Sequence, residues 1–261
     1  MTPNRPVHLK FAFPPLHGRV AVAEWAVRVD LAAAYRLSAH FGMEEMIRNH
    51  ISARVPGASD EFLVKPAAIR FSEVTASNLI KVSVAGERRD AAPLPADQAG
   101  INIHGAVYEA RPDVHAVHHS HTIAGMTVAA QKDGLLPLSQ HALRFYDRLA
   151  YHAYEGIALA SDERVRLKRD LGGAARGMIL RHHGLLTAGR SVAEAMVLMY
   201  YLDLACQIQV KAQATGAALT TPAPEVCQEI ARQIEGNGLT GDEEWPALRR
   251  LAEALDPAYA T

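Results

Sequence analysis

Short apolar runs alternate with longer helical patterns along this chain, and this alternation constrains the fold more than any other sequence feature. The best-defined helix follows Ser191, where Glu194 completes a capping box, and it extends to about Ala214 with Gly216 as its stop. Further helical patterns cover residues 24–41, 97–110, 139–154, 161–172, 225–234 and 242–255. Strand-like runs cover residues 51–55, 61–64, 79–84, 114–119 and 178–181. We therefore expect a single layered α/β domain with a mixed or largely antiparallel sheet.

The domain boundaries follow from proline content and helical pattern. Residues 1–22 contain four prolines and no periodic pattern, which predicts an extended N-terminal arm. Residues 23–216 form the predicted domain. Residues 217–261 show no shift in composition, so we expect a C-terminal helical extension of the same domain.

Composition and charge exclude several classes of function. Hydrophobic residues make up 49% of the 261 residues and charged residues 21%, as in an ordinary globular protein. The net charge of -1 argues against a nucleic-acid or acidic-lipid partner, and no apolar run approaches the roughly 18 residues of a membrane span. The two cysteines, Cys206 and Cys227, are too few for a disulfide framework. We expect a soluble cytoplasmic protein with a small-molecule partner.

Histidine is unusually concentrated in one strand. The chain has 13 histidines, and four of them fall within residues 115–121. Because side chains alternate along a strand, His119 and His121 face one side, where two imidazoles can share a metal ion. His182 or His183, followed by Gly184 to allow a sharp turn, could supply a third ligand. The competing interpretation is a hydrogen-bonded pair of strand histidines without metal.

Two motifs in a fixed order give a more specific signal. Residues 103–121 read Ile-His-x3-Tyr-x2-Arg-Pro-Asp-x2-Ala-Val-x-His-Ser-His, and residues 180–189 read Leu-x2-His-Gly-Leu-Leu-x2-Gly. Over residues 24–215 the chain resembles the class II aldolase/adducin family. The resemblance implies a three-layer α/β/α domain, a cyclic tetramer with interfacial active sites, and a divalent metal on His119, His121 and His183. Zinc is the first expectation, with manganese or iron as alternatives. By the same motif, His118 and His182 are structural.

Several positions depart from the sugar-phosphate aldolases of that family. Their catalytic glutamate corresponds here to Gly100, and the asparagine of their phosphate-binding loop corresponds to His50. A Thr-Gly pair is replaced by Ala67-Ala68. These changes remove groups that bind phosphate, so we expect a non-phosphorylated substrate. The segments 75–77 and 138–140 resemble the adducin-like bacterial branch instead.

The predicted function is that of a metal-dependent carbon-carbon lyase. It would carry out decarboxylation or retro-aldol cleavage, through a metal-stabilised enolate, on a hydroxy or oxo carboxylate. The predicted proton carriers are His50, Tyr146 and Glu155, with Tyr151 and His152 as further candidates. Arg144 and Arg181 are the predicted carboxylate-binding residues.

Other functional classes stay open at this point. Three neutral histidines would also suit a non-haem iron oxygenase of 2-oxo or 2-hydroxy acids. A non-enzymatic, adducin-like interaction module would keep the histidines as relics. In a purely structural alternative, the paired histidines pack at a subunit interface without metal.

Overall fold

A computed structural model of the protein describes residues 13–156, 162–236 and 241–261. In these ranges a single sheet contains seven strands in the order β3-β2-β1-β4-β7-β6-β5. Their bounds are β1 His50–Arg54, β2 Glu61–Val64, β3 Ile80–Ser83, β4 Ala116–Ser120, β5 Leu149–His152, β6 Gly177–Leu180 and β7 Gly184–Gly189. Neighbouring strands are antiparallel except β5 and β6, which are parallel. This arrangement confirms the predicted mixed, largely antiparallel sheet.

Helices cover both faces of the sheet. Their bounds are α1 Val22–His40, α2 Gln98–Ala110, α3 Ile123–Ala129, α4 Gln140–Leu143, α5 Glu163–Leu171, α6 Val192–Ala214, α7 Pro224–Gly236 and α8 Trp245–Leu255. One apolar core joins residues of α1, α3, α6 and α8 to one face of the sheet. A second core joins α2 and α5 to the other face. The domain therefore has the predicted three layers.

The cap of α6 differs in one detail from the predicted capping box. The Ser191 hydroxyl accepts a hydrogen bond from the Glu194 backbone N–H at 3.1 Å, as expected. The Glu194 carboxylate accepts from the backbone N–H of Arg190, one residue before the cap, at 2.5 Å. Both interactions satisfy backbone N–H groups near the beginning of the helix, so the signal places the helix correctly.

The predicted helix over residues 139–154 is wrong. The helical segment there is α4, and the chain leaves it through Asp147, which has a left-handed φ of 54°. Residues 149–152 then form β5, whose backbone pairs in parallel with β6. The helical periodicity was only partial, and pairing with a sheet edge outweighed it.

Two short elements escaped sequence analysis. The helix α3 follows Thr122, whose hydroxyl accepts from the Gly125 backbone N–H at 3.1 Å. The strand β7 pairs with both β4 and β6, and every residue in it is buried. Such short segments lack a full period, so tertiary contacts decide their conformation.

Two of the sequence predictions fall on residues outside the described ranges. Residues 1–12 of the predicted arm are among these, as is Ser161, the predicted cap of α5. In the C-terminal segment, Trp245 donates its indole N–H to Asp30 of α1 at 3.1 Å. The Tyr259 carbonyl accepts from the Ala76 backbone N–H at 2.8 Å. None of the helices in the described ranges has the length and apolar character that crossing a bilayer requires.

Candidate metal centre

Three histidines converge at one end of the sheet. His119 lies in β4, His121 directly follows that strand, and His183 lies in the turn between β6 and β7. One ring nitrogen from each lies within 4.8 Å of the others. His119 is buried, whereas the other two are partly exposed. The arrangement therefore offers three nitrogen ligands at a place that small molecules can reach.

The backbone around the β6–β7 turn brings His183 to this place. The residue with left-handed backbone is His182, at φ 57°, and not Gly184 as the sequence suggested. Gly184 serves close packing instead, because a Cβ there would lie 2.5 Å from the Ser120 carbonyl oxygen and 3.0 Å from the His121 ring. A side chain at this position would push β7 away from β4 and displace a candidate ligand.

Hydrogen bonds on the far side of two rings determine which nitrogen is free. The Nδ1 of His119 lies 2.9 Å from the Leu185 carbonyl oxygen, and the Nδ1 of His121 lies 2.6 Å from a carboxylate oxygen of Glu45. Both oxygens are acceptors, so each Nδ1 is the donor and, in a neutral ring, Nε2 carries the lone pair. The two Nε2 atoms lie 2.8 Å apart. Two facing lone pairs are favourable only with a positive charge beside them, so this donor set fits a metal ion.

Burial keeps two of the rings uncharged. Burial lowers the pKa of His119 well below its usual value of 6.5, and the neighbouring imidazoles of His183 and His121 lower it further. Burial, followed by the neighbouring His121, lowers the pKa of His183 to about 4. At neutral pH both rings are neutral imidazoles with one bare nitrogen each, which is the form that binds a metal.

His50 lies beside this cluster and continues into a buried chain of hydrogen bonds. It pairs with His119 across β1 and β4, and the two rings stack with centroids 4.9 Å apart. Its Nδ1 lies 2.8 Å from Nε2 of His104, whose Nδ1 lies 2.5 Å from the Ser52 hydroxyl. That hydroxyl lies 2.8 Å from the hydroxyl of Tyr108. The structure thus extends the predicted site inward by three residues that sequence analysis did not assign to it.

The sequence spacing of these four hydrogen-bonded residues indicates part of this arrangement. His104 and Tyr108 are four residues apart on α2, and His50 and Ser52 are two residues apart on β1, so each pair shares one face of its element. Only the packing of α2 against β1 shows that the two pairs meet.

Gly100 lies against His50. A Cβ at position 100 would come within 2.8 Å of Cδ2 of His50 and 3.0 Å of Cγ. The imidazole therefore occupies the space that any side chain at position 100 would need. The glycine and the histidine, two separate departures from the family pattern in the sequence, form one packing unit.

The structure does not bring Tyr146 and Arg144 to the histidine cluster. Asp147, Cys227 and Glu225 are the charged or titratable groups that affect the pKa of Tyr146, which burial raises. Arg144 lies over the Tyr201 ring at 4.4 Å and lines a separate cavity with three other arginines and two glutamates. In a single copy of the chain, neither residue contacts the candidate ligands.

Glu155 and Arg181 line a small cavity together with His183. The Glu155 carboxylate is engaged by Arg166 at 2.7 Å, and this hydrogen bond lowers its pKa. Arg181 lies over the Tyr151 ring at 4.5 Å and donates to the carbonyl oxygens of Gln131 and Lys132. Both side chains are held by neighbours within the chain, although they lie near a candidate ligand.

His152, the further proton-carrier candidate, lines the same cavity. Its Nδ1 lies 2.8 Å from the Asp170 carboxylate, a partner that sequence analysis missed. Its Nε2 is buried without a hydrogen bond to any described residue, 3.7 Å from Glu163.

His118 lies on the opposite face of the sheet from His119. Its Nε2 is 3.5 Å from the Ser38 hydroxyl of α1, and burial lowers its pKa to about 3. The ring is a neutral core residue, as the motif implied.

Comparison with known proteins places this geometry in a family. A family model described as the class II aldolase and adducin N-terminal domain matches residues 29–210. A Pseudomonas aeruginosa protein provisionally named an aldolase class 2 protein is 45% identical over 249 residues, covering 94% of this chain and 95% of that protein. Alpha-adducin of Mus musculus is 44% identical over 247 residues, which cover 89% of this chain and 34% of adducin. The chain belongs to the class II aldolase and adducin family, as predicted.

A solved structure supports the same conclusion for the fold. The crystal structure of an aldolase II superfamily protein from Pseudomonas syringae has a TM-score of 0.89 and 47% sequence identity. The match covers 94% of this chain and 99% of that chain. It confirms the class II aldolase fold and leaves the reaction to be argued from the site.

Proposed function

We propose that the protein is a metal-dependent carbon-carbon lyase that acts on a non-phosphorylated hydroxy or oxo carboxylate. The observation that carries this proposal is the convergence of His119, His121 and His183, with their ring nitrogens within 4.8 Å of one another. In the neutral rings of His119 and His121, Nε2 is bare because Nδ1 donates to an oxygen acceptor. We infer zinc as the ion, with manganese or iron as alternatives.

The residues around the cluster determine which chemistry the site can support. A divalent ion held there would supply positive charge that withdraws electrons from a substrate carbonyl or carboxylate. At the position of the family's catalytic glutamate, Gly100 provides no carboxylate, and the His50 imidazole occupies that space. Since retro-aldol cleavage needs a base for the hydroxyl proton, this favours decarboxylation of the two lyase reactions.

The proton carrier would come from side chains near the ligands. His50 stacks on His119, and Glu155 lines a cavity with His183. His152 lines that cavity too, with a buried Nε2 that bonds to no described residue and with Asp170 to orient its ring. Tyr146 and the carboxylate-binding role of Arg144 need a second copy of the chain, since neither lies at the cluster. A tetramer with interfacial sites, implied by the family resemblance, would supply that copy.

Metal analysis of protein purified without a histidine tag or chelator tests the proposal. We expect about one zinc or manganese per chain, lost in His119→Ala and in His183→Ala because each removes one of three ligands. His118→Ala is the matched control and should keep its metal, since that ring lies on the other face of the sheet. Equal loss in all three variants would contradict the ligand assignment.

A screen of hydroxy and oxo carboxylates for release of carbon dioxide or aldehyde then tests the reaction. Iron in the protein, with consumption of dioxygen, would favour the oxygenase instead.

Similarity to adducin supports a second candidate function. The chain is 44% identical to mouse alpha-adducin over the third of adducin that it matches. A non-enzymatic interaction module would hold no tightly bound metal and could not be reloaded with zinc. Protein that is purified without metal and does not bind added zinc would therefore favour the interaction module.

A further inference from the structure

The buried chain from Tyr108 to His50 has a direction that follows from its donors and acceptors. Four side chains take part, joined by the three contacts Tyr108–Ser52, Ser52–His104 and His104–His50. Ser52 and His104 are fully buried, Tyr108 is 2% exposed and His50 is 6% exposed. Each contact contains one hydrogen atom, and each buried hydroxyl hydrogen needs an acceptor, so the assignment at Tyr108 orients the contacts that follow it.

Tyr108 provides that assignment. Burial raises the pKa of its hydroxyl, which therefore keeps its proton. Among the described residues, Ser52 is the hydrogen-bond partner of this hydroxyl. If Ser52 donated to Tyr108, the tyrosine O–H would be buried without an acceptor, which is costly. The hydrogen of this contact therefore comes from Tyr108.

The remaining contacts follow in order. Ser52 is fully buried, and among the described residues its hydroxyl contacts Tyr108 and His104, so the serine hydrogen has only Nδ1 of His104 as an acceptor and is donated there. Burial lowers the pKa of His104 to about 3, so its ring is neutral and carries its only hydrogen on Nε2. That Nε2–H donates to Nδ1 of His50. Because Nδ1 of His50 accepts this hydrogen bond, its ring must carry a hydrogen on Nε2, the nitrogen that makes no hydrogen bond to a described residue.

We propose that His50 is a fixed hydrogen-bond donor beside the three-histidine cluster, and that its Nε2–H binds an anionic oxygen of the substrate. The ligand class is a carboxylate with a neighbouring hydroxyl or carbonyl oxygen, because one oxygen can face the cluster while another accepts from His50. The ligand part of this inference rests on the proposed function, whereas the tautomer of His50 does not. In this tautomer, Nε2 cannot serve as a base or as a metal ligand, so the proton carrier of the proposed function would be Glu155 or His152 rather than His50.

Nitrogen NMR of protein labelled with ¹⁵N-histidine, without added metal, tests the tautomer directly. We expect His50 to be protonated on Nε2 and bare on Nδ1 at neutral pH. Tyr108→Phe leaves Nδ1 of His104 as the acceptor for the Ser52 hydrogen, so the tautomer of His50 should stay the same in this variant. Ser38→Ala is the matched control, because Ser38 is also buried but bonds to α1 and approaches His118. A wild-type His50 protonated on Nδ1, or a changed tautomer in Tyr108→Phe, would overturn the proposal.

Calorimetric titration of the zinc-loaded protein with glycolate, the smallest 2-hydroxy carboxylate, tests the ligand. His50→Leu removes the donor and should weaken binding about tenfold or more, the effect of losing a hydrogen bond to a charged group. His50→Gln can present an amide N–H and should recover part of the affinity. Equal affinity in all three proteins, or no binding to wild type, would overturn the ligand assignment. Failure to load zinc would count against the proposed function, while the NMR result would still decide the tautomer.

Discussion

At the scale of single residues, Gly100 and His50 show how one position determines another. A Cβ at position 100 would lie only 2.8 Å from Cδ2 of the His50 imidazole. A contact this short requires one of the two groups to move. His50 has little freedom, because its ring is held between His104 and His119. The absence of a side chain at position 100 is thus a condition for the position of His50.

We expect Gly100→Ala to destabilise the protein by about 1–3 kcal/mol, the usual cost of adding a methyl group to a well-packed site. Chemical denaturation measures the change in the free energy of unfolding. Gly236→Ala is the control, since Gly236 also lies in a helix but a methyl group added there would meet no atom of the described residues within 4 Å. It should be neutral or slightly stabilising. Equal free energies of unfolding for the two variants would mean that the His50 ring moves aside without loss of stability.

At the scale of elements, α1 is tied to the sheet through a buried ion network. Arg28 donates to Glu24 one turn away at 2.9 Å, and Lys81 of β3 donates to the same carboxylate at 2.9 Å. Arg28 also donates to the carbonyl oxygens of Ala76 and Leu79. Glu24 therefore connects the first helix to the strand at one edge of the sheet.

The pKa of Glu24 gives this network a pH dependence. Burial raises the pKa, but the hydrogen bonds and positive charges of Lys81 and Arg28 together lower it more, so the net shift is downward from 4.5. A lowered carboxyl pKa adds stability that is fully present above 4.5 and is lost as the pH falls through the folded-state value. We expect Glu24→Gln to lower the free energy of unfolding by about 3 kcal/mol at pH 7, because it removes the carboxylate that pairs with the buried Arg28. In urea unfolding, the difference in the free energy of unfolding between Glu24→Gln and wild type should become smaller under acidic conditions.

Glu109→Gln is the matched control for this experiment. The Glu109 carboxylate also contacts two cations, Arg164 and Lys168, but its side chain is 35% exposed. Its loss should change the free energy of unfolding by less than about 1 kcal/mol. If Glu109→Gln lowered the free energy of unfolding more than Glu24→Gln does, burial would not set the strength of these ion pairs.

At the scale of the whole molecule, the candidate ligands belong to distant parts of the chain. β4 carries His119 and the β6–β7 turn carries His183, and these segments meet because β4 pairs with β7. An unfolded chain does not hold the three rings together. A metal ion that binds the folded state therefore stabilises the whole domain.

Zinc at a free concentration of 100 times its Kd should add about 2.7 kcal/mol to the free energy of unfolding. Thermal unfolding with zinc and with a chelator measures this gain. The gain should persist in His118→Ala and disappear in His183→Ala. A gain retained in His183→Ala would place the zinc elsewhere in the protein.

Local sequence was sufficient for elements with a complete signal of their own. The cap at Ser191 and the stop at Gly216 bracket α6 correctly, and alternation along β4 separates His118 from His119. Motifs in a fixed order identified the family. These features depend on neighbours within a few residues, and so they can be read from a single chain.

Contacts between distant segments decided the rest. Residues 149–152 form β5 through pairing with β6. Strand spacing alone left His182 and His183 as alternatives, and the turn before β7 brings His183 to the cluster, as the family motif implied. Only the packing of α2 on β1 brings together the hydrogen-bonded residues His50, His104, Ser52 and Tyr108. Sequence alone determined which residue types and local elements were available. Only the tertiary structure decided which of them meet, because their packing and pairing energies arise from contacts that local periodicity does not encode.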